Sequence, residues 1–263
     1  MQFLLIGADR RQDFLYDMLK KHDCHVIYVK ELTDGQIENL PQCDVVLLPV
    51  SKSSMYFEKI ITKLKGNETV FGCNLKTEEW NNVHPTGAFQ CIEYMKGDAT
   101  AYQNAIATAE GCIVEMVVHS NRNIHGSQCL ITGFGRCAQV LAAKLKGMDA
   151  KVTIMARNAV QRSYAEACGY EALDFLEEKA KNWNTFHYII NTVPAEVITE
   201  KQIQTIQPET LMVDIASKPG VKQNYCENNN IKYIHALGLP GKYAPETSAK
   251  ILYQVIAEKL QLE

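Results

Sequence analysis

An α/β protein in two units is predicted by three features: chain length, an alternation of short apolar runs with amphipathic stretches, and a glycine turn between a strand and a helix pattern. At 263 residues the chain exceeds the usual single domain, and two units of roughly 100 to 150 residues can each bury a core. The alternation runs from end to end. It is the rhythm of βαβ units around a parallel sheet.

In the first half, apolar runs predict strands at Phe3 to Ile6, His25 to Val29, Val45 to Leu48 and Thr69 to Phe71, with helices around Asp13 to Lys21 and Ser54 to Lys65. This pattern reads as a small flavodoxin-like sheet, and the stretch from Lys76 to Gly97 is too irregular to assign. Thr100-Ala-Tyr-Gln103 fits a capping box, followed by Ala105, Ala109, Cys112, Ile113, Met116 and Val117 at helical spacing. One long helix is expected to end near Asn121, with the polar run Ser120 to Asn123 as the hinge between units.

The second half predicts strands at Cys129 to Thr132, Lys151 to Met155, Tyr188 to Asn191, Leu211 to Ile215 and Lys232 to His235. Pro245 suits the first position of a last helix, Glu246 suits the positive end of its dipole, and Ala249, Leu252, Ile256 and Leu260 form one stripe. The expected division is 1–105 for a substrate-side domain, 106–243 for a linker helix and dinucleotide domain, and 244–263 for a helix packing back on the first domain.

Composition excludes several classes. With 46% hydrophobic and 22% charged residues the chain is an ordinary globular one, neither disordered nor a coiled coil. A net charge of -3 argues against nucleic-acid binding. The nine cysteines are scattered without a C-x-x-C pair, so they read as reduced thiols of a cytoplasmic protein, with no metal site. The start, MQFLLIGADRRQ, lacks the basic segment and longer apolar core of a secretory signal. No apolar run approaches the roughly 20 residues that span a bilayer, so no membrane role is expected.

The strand Gln128 to Thr132 leads directly into Gly133-Phe134-Gly135-Arg136-Cys137-Ala138 and then a helical pattern from Gln139 to Lys146. This is the order a G-x-G-x-x-A dinucleotide turn requires. Gly133 permits the tight turn, Gly135 lets the backbone approach a pyrophosphate, and small Ala138 lets helix pack on strand. A doubly wound Rossmann sheet is therefore expected in the second unit. The next strand ends in Ala156-Arg157-Asn158, where an NAD enzyme places an acid for the ribose 2′-hydroxyl. Arg157, with Arg162 or Ser163 adding donors, suits a 2′-phosphate, so NADP is expected over NAD. The strand-end loops Asn191-Thr192-Val193-Pro194 and Asp214-Ile-Ala216-Ser-Lys218 lie on the ligand-binding edge; without that neighbouring pattern Asp214 would read equally well as a turn former or helix cap.

Together with Thr108-Ala-Glu-Gly111, Ile124-His-Gly126 and Gly238-Leu-Pro-Gly-Lys-Tyr-Ala-Pro245, these loops resemble the A-subunit family of dipicolinate synthases from spore-forming bacteria. The resemblance is dense over about residues 105 to 255. It is looser in the first hundred, where Gly7-Ala-Asp9-Arg10 and Leu48-Pro49-Val50-Ser51 carry it. Val221 departs from the family pattern, which has a second glycine there, and the first domain is short.

The resemblance implies oxidation of dihydrodipicolinate to dipicolinate in the mother-cell cytoplasm during sporulation, in partnership with a flavoprotein-like B subunit. A homo-oligomer is also expected. A dianionic substrate needs cationic clamps, for which Arg10, Lys218 and Lys242 are candidates, with Ser51 and Glu110 beside them. Lys242 is the foremost, against a surface lysine as the plain reading. His125 and His119 are candidate bases because imidazole titrates near neutrality, though a lone histidine more often has a structural role. From the residues alone the reading stops at a nicotinamide-dependent oxidoreductase acting on an anionic small molecule. Its alternatives are another NADP-dependent dehydrogenase resembling shikimate dehydrogenase, and a non-catalytic NADP-binding subunit.

Overall fold

The computed structural model describes residues 1–22, 24–75, 78, 90–177 and 183–262. The elements in chain order are β1 (Gln2–Ile6), α1 (Arg10–Lys21), β2 (His25–Val29), α2 (Asp34–Glu38), β3 (Val45–Leu47), α3 (Ser53–Ile60), β4 (Thr69–Gly72) and β5 (Gln90–Glu93). Then come α4 (Asp98–His119), β6 (Gln128–Thr132), α5 (Arg136–Gly147), β7 (Lys151–Met155), α6 (Ala159–Ala167), β8 (Glu171–Leu173) and β9 (Tyr188–Asn191). The chain closes with α7 (Glu200–Ile203), β10 (Leu211–Asp214), α8 (Gln223–Asn228), β11 (Lys232–His235), α9 (Leu239–Tyr243) and α10 (Pro245–Leu260).

The chain divides into one unit of Met1–Asn104 with Pro240–Glu263, and a second of Ala105–Leu239. The division falls inside α4. The polar run 120–123, expected to be the hinge, lies within the second unit.

In the first unit a parallel sheet runs β2-β1-β3-β4-β5, the flavodoxin-like order. Successive residues of β1 serve opposite faces, as the period-2 pleat demands. Phe3 and Leu5 join a cluster with Leu15, Leu19, Ala249, Leu252 and Ile256, whereas Leu4 and Ile6 join one with Phe57, Ile60 and Val70. Sheet strands buried on both faces need helices on both faces. The chain supplies α3 on one side and α1 with α10 on the other, so its last helix completes a core begun by its first strand.

The second unit is a parallel sheet in the order β11-β10-β9-β6-β7-β8. Numbered within the unit this is 3-2-1-4-5-6 read from β8, the doubly wound dinucleotide-binding topology. Leu130, Met155, Trp183, Ile189, Ile203 and Met212 are among the buried residues of its main cluster.

Two local expectations are corrected. The long helix begins at Asp98, so Thr100 lies inside its first turn and does not cap it; Asp98 itself suits the dipole there. The helix predicted through Lys65 stops at Ile60, with a 3-10 turn over Ile61–Lys63. Within the unassigned stretch 76–97, Gln90–Glu93 forms the edge strand β5, while residues 76, 77 and 79–89 lie outside those described. No helix among the described residues is long and apolar enough to cross a membrane, and all nine cysteines are free thiols.

Leu252 is 1% exposed at the packing of α10 on the first-unit core. Leu252→Ala is expected to destabilise that unit by about 2–5 kcal/mol through lost burial and the cavity left behind. Denaturant unfolding followed by circular dichroism measures it, and a change under about 1 kcal/mol would place α10 outside the core.

Candidate functional site

The order of the second sheet reverses between β6 and β9, and ligands of such sheets bind at the carboxyl ends of the strands at that point. Gly133 follows β6 there. Its φ of +85° lies in the left-handed region, its N–H donates to Met155 O at 2.8 Å, and a Cβ would stand 2.7 Å from Thr192 Oγ1. The protein's own packing therefore requires glycine at this position. Gly135, the N-cap of α5, is different: a Cβ there would meet no heavy atom within 4 Å. That open space lies at the start of a twelve-residue helix whose first N–H groups point outward. Fully buried Ala138 brings helix onto strand. The turn fits a dinucleotide pyrophosphate.

Three strand ends at this edge are tied together below the surface. Thr132, Asn191 and Asp214 are all 0% exposed. Asn191 accepts from Thr132 Oγ1 at 2.6 Å through Oδ1, and donates through Nδ2 to Asp214 Oδ1 at 2.9 Å and Val193 O at 3.0 Å. Asp214 also accepts from Ala216 N at 3.0 Å, Gly220 N at 2.7 Å and the Tyr233 hydroxyl at 3.3 Å. A buried carboxylate is tolerated only when its oxygens are so occupied. Burial, with the Asp214 charge beside it, pushes the Tyr233 hydroxyl well above the ordinary tyrosine range. A Cβ on Gly220 would overlap the Asn191 amide, so this glycine, too, is set by packing. Asn191 and Asp214 thus shape the edge from beneath, while Thr192 and Val193 are half-buried and Pro194 is exposed on the loop they fix.

At the carboxyl end of β7, Arg157 is exposed, and its guanidinium has no bonded partner among the described residues. Arg162 is otherwise engaged: Nη1 donates to Ala156 O and Arg157 O at 2.7 and 2.8 Å and pairs with Asp174 at 2.6 Å. Through these Nη1 contacts it braces the backbone beneath Arg157. Asn158 caps α6 by accepting from Val160 N at 2.8 Å. Phe134 is buried against Tyr164 and Tyr170, so only its backbone belongs to the turn. Arg136 is exposed at the helix start, and burial raises the pKa of half-buried Cys137, with opposing effects from Arg136 and Thr108.

The first sheet has its own switch point, between β1 and β3. Here the sequence drew attention to Arg10, but the buried cation is its neighbour. Arg11, 3% exposed, forms an ion pair with Asp9, the N-cap of α1. Burial pushes the Asp9 carboxyl up, yet hydrogen bonds and charge from Arg11, with a bond from Ser51, hold it below its ordinary value. A Cβ on Gly241 would lie 2.8 Å from Asp9 Oδ1, so the segment before α10 passes directly over this pair. Exposed Arg10 donates through Nη1 to Lys242 O at 3.4 Å, and the exposed Lys242 ammonium sits 4.8 Å from the Tyr243 ring centre. Arg10, Ser51 and Lys242 are thus gathered at one edge of the first unit. Sequence reasoning missed the Asp9–Arg11 pair; an Asp directly before a helix pattern, the N-cap preference, is the signal that could have marked Asp9.

The remaining candidates separate. Lys218 is exposed in the loop after β10, at the carboxyl edge. Glu110 pairs with Lys144 at 2.9 Å, eight residues along α5 from its N-terminus, which is about 12 Å from the turn. His125 precedes β6 and pairs with Asp149 at 3.3 Å, both strongly exposed. It stands at the amino end of a strand whose carboxyl end carries the turn, roughly 16 Å away for five residues. His119 is likewise at the amino edge, paired with Glu115, its carbonyl accepting from Lys232 at the first residue of β11. Neither histidine serves the carboxyl edge. His235, the last residue of β11, does stand there.

The model of the D-isomer specific 2-hydroxyacid dehydrogenase NAD-binding domain matches residues 99–224. The A subunit of dipicolinate synthase from Bacillus subtilis (strain 168) is 27% identical, the match covering 99% of this chain and 96% of that protein. The crystal structure of the dipicolinate synthase A subunit from Bacillus halodurans superposes with a TM-score of 0.82 at 25% identity, over 98% of this chain and 97% of the other. The crystal structure of the Bacillus subtilis protein superposes with 0.80 at 25% identity, over 99% and 96%. The chain is similar to the A subunit of dipicolinate synthase over nearly its whole length, as its loops indicated. Its second unit is a nicotinamide-dinucleotide-binding domain of a dehydrogenase-like protein.

Gly135→Val would put a branched side chain at the turn, where a Cβ meets no heavy atom within 4 Å. The variant is expected to keep the parent's unfolding temperature and to lose the rise that a nicotinamide dinucleotide produces. Thermal melts with and without cofactor measure both; a variant stabilised like the parent would remove this turn from the site.

Proposed function

We propose that the chain oxidises dihydrodipicolinate to dipicolinate with NADP, as one of the two subunit types of a cytoplasmic enzyme of sporulating cells. The carrying observation is the end-to-end similarity to the A subunit of dipicolinate synthase, spanning both units and 99% of the chain. The partner is a flavoprotein-like B subunit, and the chain self-associates as a homo-oligomer.

Bound in the second unit, the oxidised nicotinamide supplies the hydride acceptor. The protein's own task is to bind, orient and exclude water, because aromatisation of the ring supplies much of the driving force. The backbone N–H groups at Gly135 and the start of α5 hold the pyrophosphate. Exposed Arg157, with its carbonyl braced by Arg162, holds the 2′-phosphate. At one edge of the first unit, Arg10, Ser51 and Lys242 bind the substrate's carboxylates. Mixing the purified chain, with and without the B subunit, with NADP and freshly generated dihydrodipicolinate tests the reading. Dipicolinate absorbance and reduced cofactor should rise together.

Arg157→Asp replaces a 2′-phosphate partner with an acceptor for a 2′-hydroxyl. NADP affinity should fall by about 1.5–3 kcal/mol, roughly tenfold or more, while NAD holds or improves. Titration of both cofactors is the check, and an unchanged ratio would release Arg157 from the site.

Lys242→Met keeps the apolar stem and removes the ammonium. If Lys242 pairs with a substrate carboxylate away from water, kcat/KM for the dicarboxylate should drop at least tenfold with NADP binding near the parent's. An exposed lysine without that task changes it by less than about twofold. Steady-state kinetics at saturating NADP separates the two.

A further inference from the structure

We propose that His235 is the proton acceptor of the oxidation, with Nδ1 as the basic atom and Nε2 fixed as a donor to the backbone. This rests on the functional reading above. His235 ends β11 on the same carboxyl edge as the Gly133 turn, in register with Asp214 of β10. The ribose-edge residue Arg157 follows β7, on one side of the switch point; β9, β10 and β11 lie on the other. A dinucleotide crossing that point therefore has its reacting half on the His235 side.

The ring is half-buried and lines a cavity with Glu196, Pro219, Val221, Lys222 and Tyr233. Its Nε2 lies 2.8 Å from Ala216 O. A carbonyl only accepts, so Nε2 carries the hydrogen, and in the neutral ring Nδ1 is left with a lone pair. Ala216 is itself pinned, its N–H donating to Asp214. The buried latch beneath the edge thus sets the tautomer of the histidine above it.

The charged and titratable groups around the ring leave the cavity near neutrality. Asp214 is occupied by Asn191, two backbone N–H groups and the Tyr233 hydroxyl. Glu196 and Lys222 face each other at 3.6 Å. Lys218, on the loop after β10, is exposed.

Oxidation of the dihydropyridine takes a hydride and a proton from neighbouring saturated ring positions. A bound oxidised nicotinamide would take the hydride with its two electrons, and the electron pair of the neighbouring C–H bond becomes the last ring double bond as its proton moves to His235 Nδ1. The imidazolium then returns the proton to water, so atoms and charge balance as NADPH, dipicolinate and one proton.

The test uses the full chain with its partner. His235→Gln sets an amide nitrogen where Nε2 stands, keeping the bond to Ala216, and removes the base; His235→Phe removes both. For Gln, cofactor affinity and melting temperature are expected to stay near the parent's while kcat/KM falls roughly a hundredfold or more, the scale of general-base catalysis. The acid limb of the parent's pH profile should vanish. Nitrogen-15 NMR of the labelled chain reads the tautomer without turnover, and the neutral ring should show a bare Nδ1. A Gln variant within about twofold of the parent, or a neutral ring protonated on Nδ1, overturns the proposal while leaving the functional reading intact. A parent inert toward dihydrodipicolinate yet stabilised by NADP overturns the functional reading, and the proton transfer with it.

Discussion

A fully buried carboxylate held by neutral donors organises the carboxyl edge of the second sheet. Asp214 is surrounded by donors from Asn191, Ala216, Gly220 and Tyr233, and Asn191 extends the network to Thr132 and Val193. The ends of β6, β9, β10 and β11 are thereby bound into one block. Removing any member leaves buried polar groups unpaired, which costs more than the bond itself contributes. That asymmetry fixes the loops that shape the edge. It explains why Gly133 and Gly220 have no room for a side chain, whereas a Cβ on Gly135, at the start of α5, would meet nothing within 4 Å.

The same division of roles recurs at two other strand ends. Arg162 is held between Asp174 and two carbonyls and braces the backbone under Arg157. Arg11 is held by Asp9 beneath Gly241, next to exposed Arg10. In each case one arginine is fixed in the structure, leaving its neighbour or a nearby residue exposed. On the proposed function the exposed residue meets the ligand, and the engaged one supplies the rigidity that makes the contact specific.

Both sheets are parallel, so their functional edges are carboxyl edges, and a residue's place along its strand decides what it can reach. This constraint sorts the histidines. His125 and His119 lie at amino ends with carboxylate neighbours of their own, while His235 ends its strand beside the loop that Asp214 holds.

By itself the sequence determined the two-sheet α/β architecture, because apolar runs bounded by amphipathic stretches are buried most simply as parallel strands covered by helices. It also determined the dinucleotide turn, because Gly133, Gly135 and Ala138 are a local pattern set between a strand and a helix. Short elements such as β5, β8, α7 and α8 were illegible, since so few residues carry no measurable period. Tertiary structure decided what local pattern cannot carry. It set which of two adjacent arginines is buried, that Asn191 and Asp214 act beneath the edge, and that Glu110 answers to Lys144. Each depends on residues brought together from distant parts of the chain, and no spacing along it encodes that meeting.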